Sequence, residues 1–356
     1  MSSAPLVSVV IPACNAEAFI EYTFRSVLAQ TYQNFEVLVV DDGSSDRTLE
    51  IVESFMQQDD RIRLFKQQTA GVGAARNLAM KEAKGKYIAP IDADDIWFPQ
   101  KLEKQVARLE QEDESVGLVY SWSAYMNAAG DITNYSPFGR FGRVEGDVFQ
   151  FLLFYNFLDN GSTMMFRRSC IDRIGGFNPE LKTCEDWEFY LRLAEQYQFC
   201  IVPEYLIGYR QYIGSISSNC SAMAHFHERV MDEVYARHPE LPSQIRYWSN
   251  TVFYNNLLGK SYLAGDYRGA LRWAYRILRG DFALLLRPGI YKLIPVSVLK
   301  VLLSAEKYDP QPVRFKQNLA SDQVDLPTPQ PPESKRFWKP YDLVLLKRWK
   351  QMLQTV

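Results

Sequence analysis

Two acidic clusters carry the strongest chemical signal in the sequence. Asp92-Ala93-Asp94-Asp95 directly follows the apolar run Tyr87 to Ile91. Carboxylates ending a buried strand are poor sheet formers and repel one another unless a cation or hydrogen-bond donors neutralise them. Binding of a hard cation is the economical reading; the competing one has Asp94 or Asp95 cap the next turn. Asp41-Asp42-Gly43-Ser44-Ser45-Asp46 follows a second apolar run, Phe35 to Val40. Ser45 or Asp46 is a good N-cap and Gly43 suits a turn, but capping leaves Asp41-Asp42 unexplained. A third motif, Gly71-Val72-Gly73-Ala74-Ala75-Arg76-Asn77, nearly matches the dinucleotide fingerprint. It has Arg76 where the third glycine belongs and follows the third strand rather than the first, which rejects a dinucleotide site. Arg76 either binds a phosphate, ties down Asp42 or is an ordinary surface arginine. With only three histidines in the chain, a metal site would be built from oxygen ligands, which selects Mg²⁺, Mn²⁺ or Ca²⁺ over zinc.

The elements that must hold these residues alternate. The β-branched run Val7 to Ile11 is followed by a helical stretch from Glu17 to Gln30 and the strand Phe35 to Val40, one βαβ unit. A helix over 47–56, a strand over 61–65, a helix over 73–82, the strand before Asp92 and a helix over 101–110 continue the pattern. Buried strands alternating with helices predict an α/β fold with a doubly wound, mostly parallel sheet, whose ligands bind beyond the carboxyl ends of the strands. The loops after Ile11, Val40 and Ile91 are therefore the expected site. Farther on, Trp187, Tyr190, Leu191 and Ala194 share one helical face, so Glu185 and Asp186 fall in that helix's first turn.

The first domain is expected to span residues 1–221 and a helical extension 222–304. Within the extension, 247–278 reads as two helices joined at Ala264-Gly265-Asp266, spaced like one tetratricopeptide hairpin. Residues 284–303 are apolar but interrupted by Arg287, Pro288, Lys292, Pro295 and Lys300, which suits burial or a membrane-surface lie better than a span. A Pro-rich linker, 305–340, and a basic amphipathic segment, 341–356, complete the chain.

Composition removes several classes. Hydrophobic residues at 47% and charged residues at 23% are globular proportions, and no run of some 20 apolar residues exists to span a bilayer. A net charge of -2 gives the whole chain no electrostatic reason to seek nucleic acid. Five cysteines without a CxxC pair fit neither a disulfide framework nor a zinc site, and the N-terminus lacks the basic start of a secretory signal. A cytoplasmic protein, attached peripherally to the inner face of the membrane, is the expectation.

At this point the motifs VSVVIPACNAE, SVLAQTY, FEVLVVDDGSSDRT, GVGAARN, GKYIAPIDADD, Gly175-Gly176-Phe177 and CEDWEFYLRL, in that order over about residues 5 to 217, resemble the inverting family-2 glycosyltransferases of GT-A fold, which use nucleotide-diphosphate sugars. The resemblance implies that Asp42 accepts a hydrogen bond from the base and that Pro12 and Glu17 line the nucleotide site. It also implies that Asp92-x-Asp94 is the metal and ribose motif, with Asp94 the direct ligand of Mn²⁺ or Mg²⁺, and that Asp186 is the catalytic base. Two positions depart from the family: Cys14 stands where an aromatic residue often stacks on the base, and Tyr212 where relatives commonly have a histidine. The implied partners are a nucleotide-sugar donor, UDP-linked by expectation, and a polysaccharide, lipid-linked glycan or other cell-surface acceptor. A nucleotidyltransferase would share the sheet and the metal but needs a Gly- and Lys/Arg-rich triphosphate loop after the first strand, which residues 12–19 lack. A degenerate binding protein is the remaining alternative, against which the intact Asp42, Asp92, Asp94 and Asp186 argue.

Overall fold

Val7–Ala13 (β1) and Phe35–Asp41 (β2) bury every residue, as strands must when helices cover both faces of a sheet. The structure, a computed structural model, describes residues 4–137, 143–212, 214–280, 294–299 and 301. The expectations for 284–303, for the linker and for the terminal segment fall on residues that lie, apart from 294–299 and 301, outside those described. The described residues form two compact units, divided between Phe253 and Tyr254.

In the first unit β1 pairs in parallel with β2 and with Tyr87–Pro90 (β4), and β2 pairs in parallel with Ile62–Lys66 (β3). Register does the positioning. Ala13 lies opposite Asp41, Asp41 opposite Lys66 and Val10 opposite Pro90, so the carboxyl ends of β1, β2 and β4 reach one edge together. The crossovers run through the helices Ile20–Leu28 (α1), Thr48–Met56 (α2) and Val72–Glu82 (α3). Val9, Ile11, Phe24, Val27, Val37, Val39 and Val52 close the core between sheet and helices. Each such buried side chain contributes about 1.5–3 kcal/mol.

Beyond β4 the sheet becomes mixed. Met165–Arg167 (β8) pairs antiparallel with β4 and with Val116–Met126 (β6), which pairs in parallel with Gln198–Arg210 (β9). Ile132–Tyr135 (β7) lies antiparallel on β6. Ile96–Trp97 (β5) pairs antiparallel with Ile207 and Gly208 of β9, so the chain reverses its relation to the sheet immediately after Asp95. Lys101–Glu110 (α4), Phe149–Phe154 (α5), Cys170–Ile174 (α6), Glu185–Ala194 (α7) and Cys220–Arg237 (α8) complete the unit with the first part of Ser243–Leu263 (α9). Helix α8 begins where the Asn219 side chain caps Ala222 N at 3.0 Å. The fold is the mixed α/β class expected, with a helical C-terminal region. β5 and α6 have no counterpart in the periodicity, because two and five residues are too few to show a period.

In the second unit the end of α9 and Tyr267–Gly280 (α10) pack through Leu257, Leu258, Ala270, Trp273, Ala274 and Ile277. The turn between them has Gly265 at φ 78°, and Asp266 Oδ1 accepts from Gly269 N at 2.9 Å. No helix among the described residues is long and apolar enough to cross a membrane.

Candidate active site

The loop from β4 to β5 is held by its backbone before its carboxylates are considered. Thr23 Oγ1 of α1 donates to the carbonyls of Ala93 at 2.9 Å and Asp95 at 2.7 Å, a forked contact through its single proton. Asp92 N donates to Ser162 Oγ at 3.0 Å, and Ser162 Oγ donates on to Asp95 Oδ2 at 2.6 Å. Asp95 Oδ1 accepts from Arg210 N at 2.9 Å, so this fully buried carboxylate ties the loop to the end of β9. Burial, then the charges of Asp94 and Asp92, push its pKa well above the usual carboxylate range. Asp95 is thus the fastener, and Asp92 and Asp94 stay partly open.

Asp94 is raised to about 6 by burial and by Asp92, while a hydrogen bond from the Tyr212 hydroxyl works the other way. Tyr212 in turn packs against Phe19 with ring centroids 5.0 Å apart. The loop after β9 therefore does take part in the site, as a donor to Asp94.

Arg76 lies neither at the surface nor on Asp42. Its guanidinium is 2% exposed and is bonded through Nη2 to Asp92 Oδ1 at 2.5 Å and through Nη1 to Glu185 Oε1 at 2.7 Å. Burial opposes its charge, but Asp92 and Glu185 outweigh burial and hold its pKa above the ordinary value. Gly161 makes room for this pair: a Cβ there would stand 2.9 Å from Arg76 Nη2 and 3.8 Å from Asp92 Oδ2. Helix α3 also fixes the turn at 175–178. Asn77 Nδ2 donates to Phe177 O at 2.8 Å, Phe177 N donates to Asn77 Oδ1 at 2.7 Å, and a side chain at Gly176 would collide with Asn77. Phe177 stacks on Phe189 of α7 at 4.3 Å. GVGAARN, Gly-Gly-Phe and Glu-Asp-Trp, far apart in sequence, are one assembly.

Asp186 occupies the first turn of α7 beside Glu185 and Glu188, where carboxylates suit the helix dipole. Its Oδ1 accepts from Trp187 N at 2.7 Å. Burial and then Glu185 raise it to about 7, against the pull of Arg76. Trp187 next door is fixed on both sides. Its Nε1 donates to Leu152 O at 2.9 Å, and its ring stacks at 4.6 Å on His227 of α8, itself stacked at 4.0 Å on Phe253 of α9.

Asp42, 5% exposed, gathers the segment 67–71: Oδ1 accepts from Gln67 Nε2 and Ala70 N, both at 2.7 Å, and Oδ2 from Gly71 N at 2.8 Å. Three of its roughly four acceptor sites are thereby used. Glu17 is exposed and its Oε2 accepts from Arg47 N at 3.0 Å, while Pro12 is buried at the end of β1. Cys14 is exposed, its thiol raised by partial burial and then by Asp42, Asp41 and Asp46.

Asp92, Asp94, Asp95, Glu185 and Asp186 thus share one neighbourhood with Arg76, an excess of negative charge. Asp92 and Asp94 offer hard oxygen donors, and among the described residues no cluster of three or more His, Cys, Asp or Glu would hold a cation unaided. Such a pair fits Mg²⁺ or Mn²⁺, which are commonly held by one or two carboxylates with phosphate oxygens and water completing the shell. A recess of about 250 Å³ lined by Lys86, Glu114, Arg167 and Asp172 lies at the amino end of β4, away from every residue named here. In such sheets ligands bind at the other end.

Glu185, Ser162, Gly161 and Arg210 join the site only in the folded chain, and Asp95, part of the acidic cluster, proves to be a structural tie. The turn-forming Asn160-Gly161-Ser162 and the buried acid beside Asp186 were the available signals.

The family model for Glycosyl transferase family 2 matches residues 8–175. TuaG of Bacillus subtilis, a glycosyltransferase named for teichuronic acid biosynthesis, is 32% identical over 217 residues, 60% of this chain and 82% of that protein. An uncharacterized glycosyltransferase of Methanocaldococcus jannaschii is 31% identical over 211 residues, 58% of this chain and 71% of that one. Against an uncharacterized glycosyltransferase of Rickettsia typhi, 31% identical, the match spans 61% of the relative's length. Among solved structures, Staphylococcus aureus TarS 1-349 superimposes with a TM-score of 0.53 at 20% identity, covering 83% of this chain and 87% of that one. The mannosyltransferase PcManGT of Pyrobaculum calidifontis, solved with GDP-Man and Mn2+, gives 0.53 at 19% identity, covering 86% and 89%. At these identities the likeness is one of fold.

Proposed function

The chain belongs to glycosyl transferase family 2, and from that membership we propose that it moves a sugar from a nucleotide-diphosphate donor to an acceptor hydroxyl by a single displacement with inversion. The observation that carries the reading is the pairing of Arg76 with Asp92 and Glu185 at the carboxyl edge of the sheet, with Asp94 beside Asp92 and Asp186 beside Glu185. The nucleotide lies along the ends of β1 and β2 beside Pro12, Glu17 and Asp42, and UDP is the favoured donor nucleotide. Asp92 and Asp94 would hold a divalent cation. When bound, that cation offsets the charge that develops on the leaving diphosphate.

Asp186 then acts on the acceptor. Its carboxylate takes the hydroxyl proton as the acceptor oxygen bonds to the anomeric carbon. The bond from that carbon to the diphosphate oxygen breaks, and its electron pair leaves with the nucleotide. No nucleophile on the enzyme is needed, and a base with a pKa near neutrality serves a proton transfer at neutral pH. Arg76 keeps Asp92 and the start of α7 at a fixed separation, so the metal-binding and proton-accepting ends of the site stay in register. The acceptor is a polysaccharide, a lipid-linked glycan or another cell-surface glycan, a class supported by the similarity to TuaG.

Purified protein incubated with a panel of nucleotide sugars and Mn²⁺ or Mg²⁺ should release one nucleotide preferentially, and chelation should stop the release. Tight nucleotide binding without turnover on any donor and glycan acceptor would instead support a degenerate binding protein.

A further inference from the structure

We propose that the exposed face of α10 is a docking surface for an anionic lipid bilayer. The helix, YRGALRWAYRILRG, contains Arg268, Arg272, Arg276 and Arg279 and no carboxylate. At about 100° per residue these four fall within a sector of roughly 80°, strung along about 16 Å of the axis. All four are exposed, while Ala270, Trp273, Ala274 and Ile277 on the opposite side are buried. Of the two carboxylates that flank the helix in the sequence, Asp266 and Asp281, the first is occupied in capping Gly269 N. A chain of net charge -2 thus concentrates four positive charges on one side of one helix.

An ordinary solvated helix face mixes its charges. This one does not, and an aromatic ring stands among them: Tyr275, on the same side, is 60% exposed. Arginines around an exposed aromatic match a headgroup layer, where guanidinium groups meet lipid phosphates and the ring enters the interface. Leu263 at the end of α9, 87% exposed, is a further apolar side chain that suits lipid and not nucleic acid. Anionic lipid is therefore the favoured occupant. The assignment does not depend on the transfer reaction, since none of these residues belongs to the site described above.

The test is sedimentation of the full chain with phosphatidylglycerol–phosphatidylcholine vesicles, pure phosphatidylcholine vesicles and, separately, titration with a duplex oligonucleotide. Arg276 is left alone because its guanidinium also lies 5.4 Å over Tyr254 and 5.5 Å over Trp273. The wild type should pellet with anionic vesicles only and be released as salt rises from about 0.05 to 1 M and the screening length shrinks. Arg268→Gln/Arg272→Gln/Arg279→Gln should lower the partition coefficient on the order of 100-fold, about fivefold per arginine. The corresponding Lys substitutions should retain binding, and Tyr275→Ser should weaken it severalfold. Circular dichroism and melting temperature check that each variant is folded. Equal partitioning of wild type and Gln variant, salt-insensitive binding, or tighter binding to the oligonucleotide than to anionic vesicles overturns the assignment. Should the Gln variant not fold, the Lys variant and the salt series decide.

Discussion

Asp186 owes its protonation to what surrounds it: burial first, then Glu185, raise its pKa to about 7, with Asp92 adding to them and Arg76 opposing. A base must be deprotonated to work, so transfer should fall as pH drops through about 7, tenfold per unit on the acid limb. Asp186→Asn should keep donor binding and lose transfer by roughly 100-fold or more. Loss of folding in that variant would show the carboxylate to be a helix-start residue instead. Asp94 is a different case. Its carboxylate faces Asp92 and receives the Tyr212 hydroxyl, and the strand before it supplies the packing. Asp94→Asn should therefore abolish the Mn²⁺-dependent part of UDP binding, read by calorimetry, without lowering the melting temperature. Equal UDP affinity with and without Mn²⁺ in wild type and variant alike would sink this.

Between elements, the buried arginine of α3 joins the end of β4 to the start of α7. Removing it strands Glu185, 10% exposed, and Asp92, 28% exposed, opposite an apolar side chain. Arg76→Met should cost about 3 kcal/mol at neutral pH, the lower end for breaking a buried pair because Asp92 keeps some solvent. Urea unfolding at neutral pH reads the loss, and a variant as stable as the wild type would contradict the ion-pair account. The same assembly explains why two glycines occur where they do. Gly161 admits the Arg76–Asp92 pair and Gly176 admits Asn77, contacts that no local propensity foretells.

For the whole molecule, the acid limit of stability is set in part by His227. The ring is sandwiched between Trp187 and Phe253, with Ser249 and Asn250 as polar neighbours and Arg246 the nearby charge. Burial, followed in effect by Arg246 and against the Asn250 hydrogen bond, takes its pKa from 6.5 down to about 3. A histidine whose folded pKa is depressed stabilises fully above its unfolded pKa and loses that contribution as pH falls from about 6.5 toward 3, at up to about 1.4 kcal/mol per unit. His227→Phe keeps the stack and removes the titration, so its melting temperature should decline less steeply than the wild type's between pH 6.5 and 4. Parallel pH slopes for the two proteins would show that the ring is not forced to titrate within the fold.

The sequence by itself determined the alternating elements and the edge where chemistry gathers. Period and burial are local properties, and acidic residues placed directly after β-branched runs report the ends of strands. It also placed Asp42, Asp92, Asp94 and Asp186, because each sits in a short motif next to a recognisable element. What only the tertiary structure decided is which charges meet. Arg76 was legible as an arginine among carboxylates, but its partners lie 16 and 109 residues away, and the choice of Asp92 and Glu185 over Asp42 depends on how α3 and α7 pack. Asp95 and Asp94 are chemically identical neighbours in the chain, yet one fastens β9 and the other faces the site. The reversal of the strand at β5 separates them, and a reversal is defined by the partner strand that receives it.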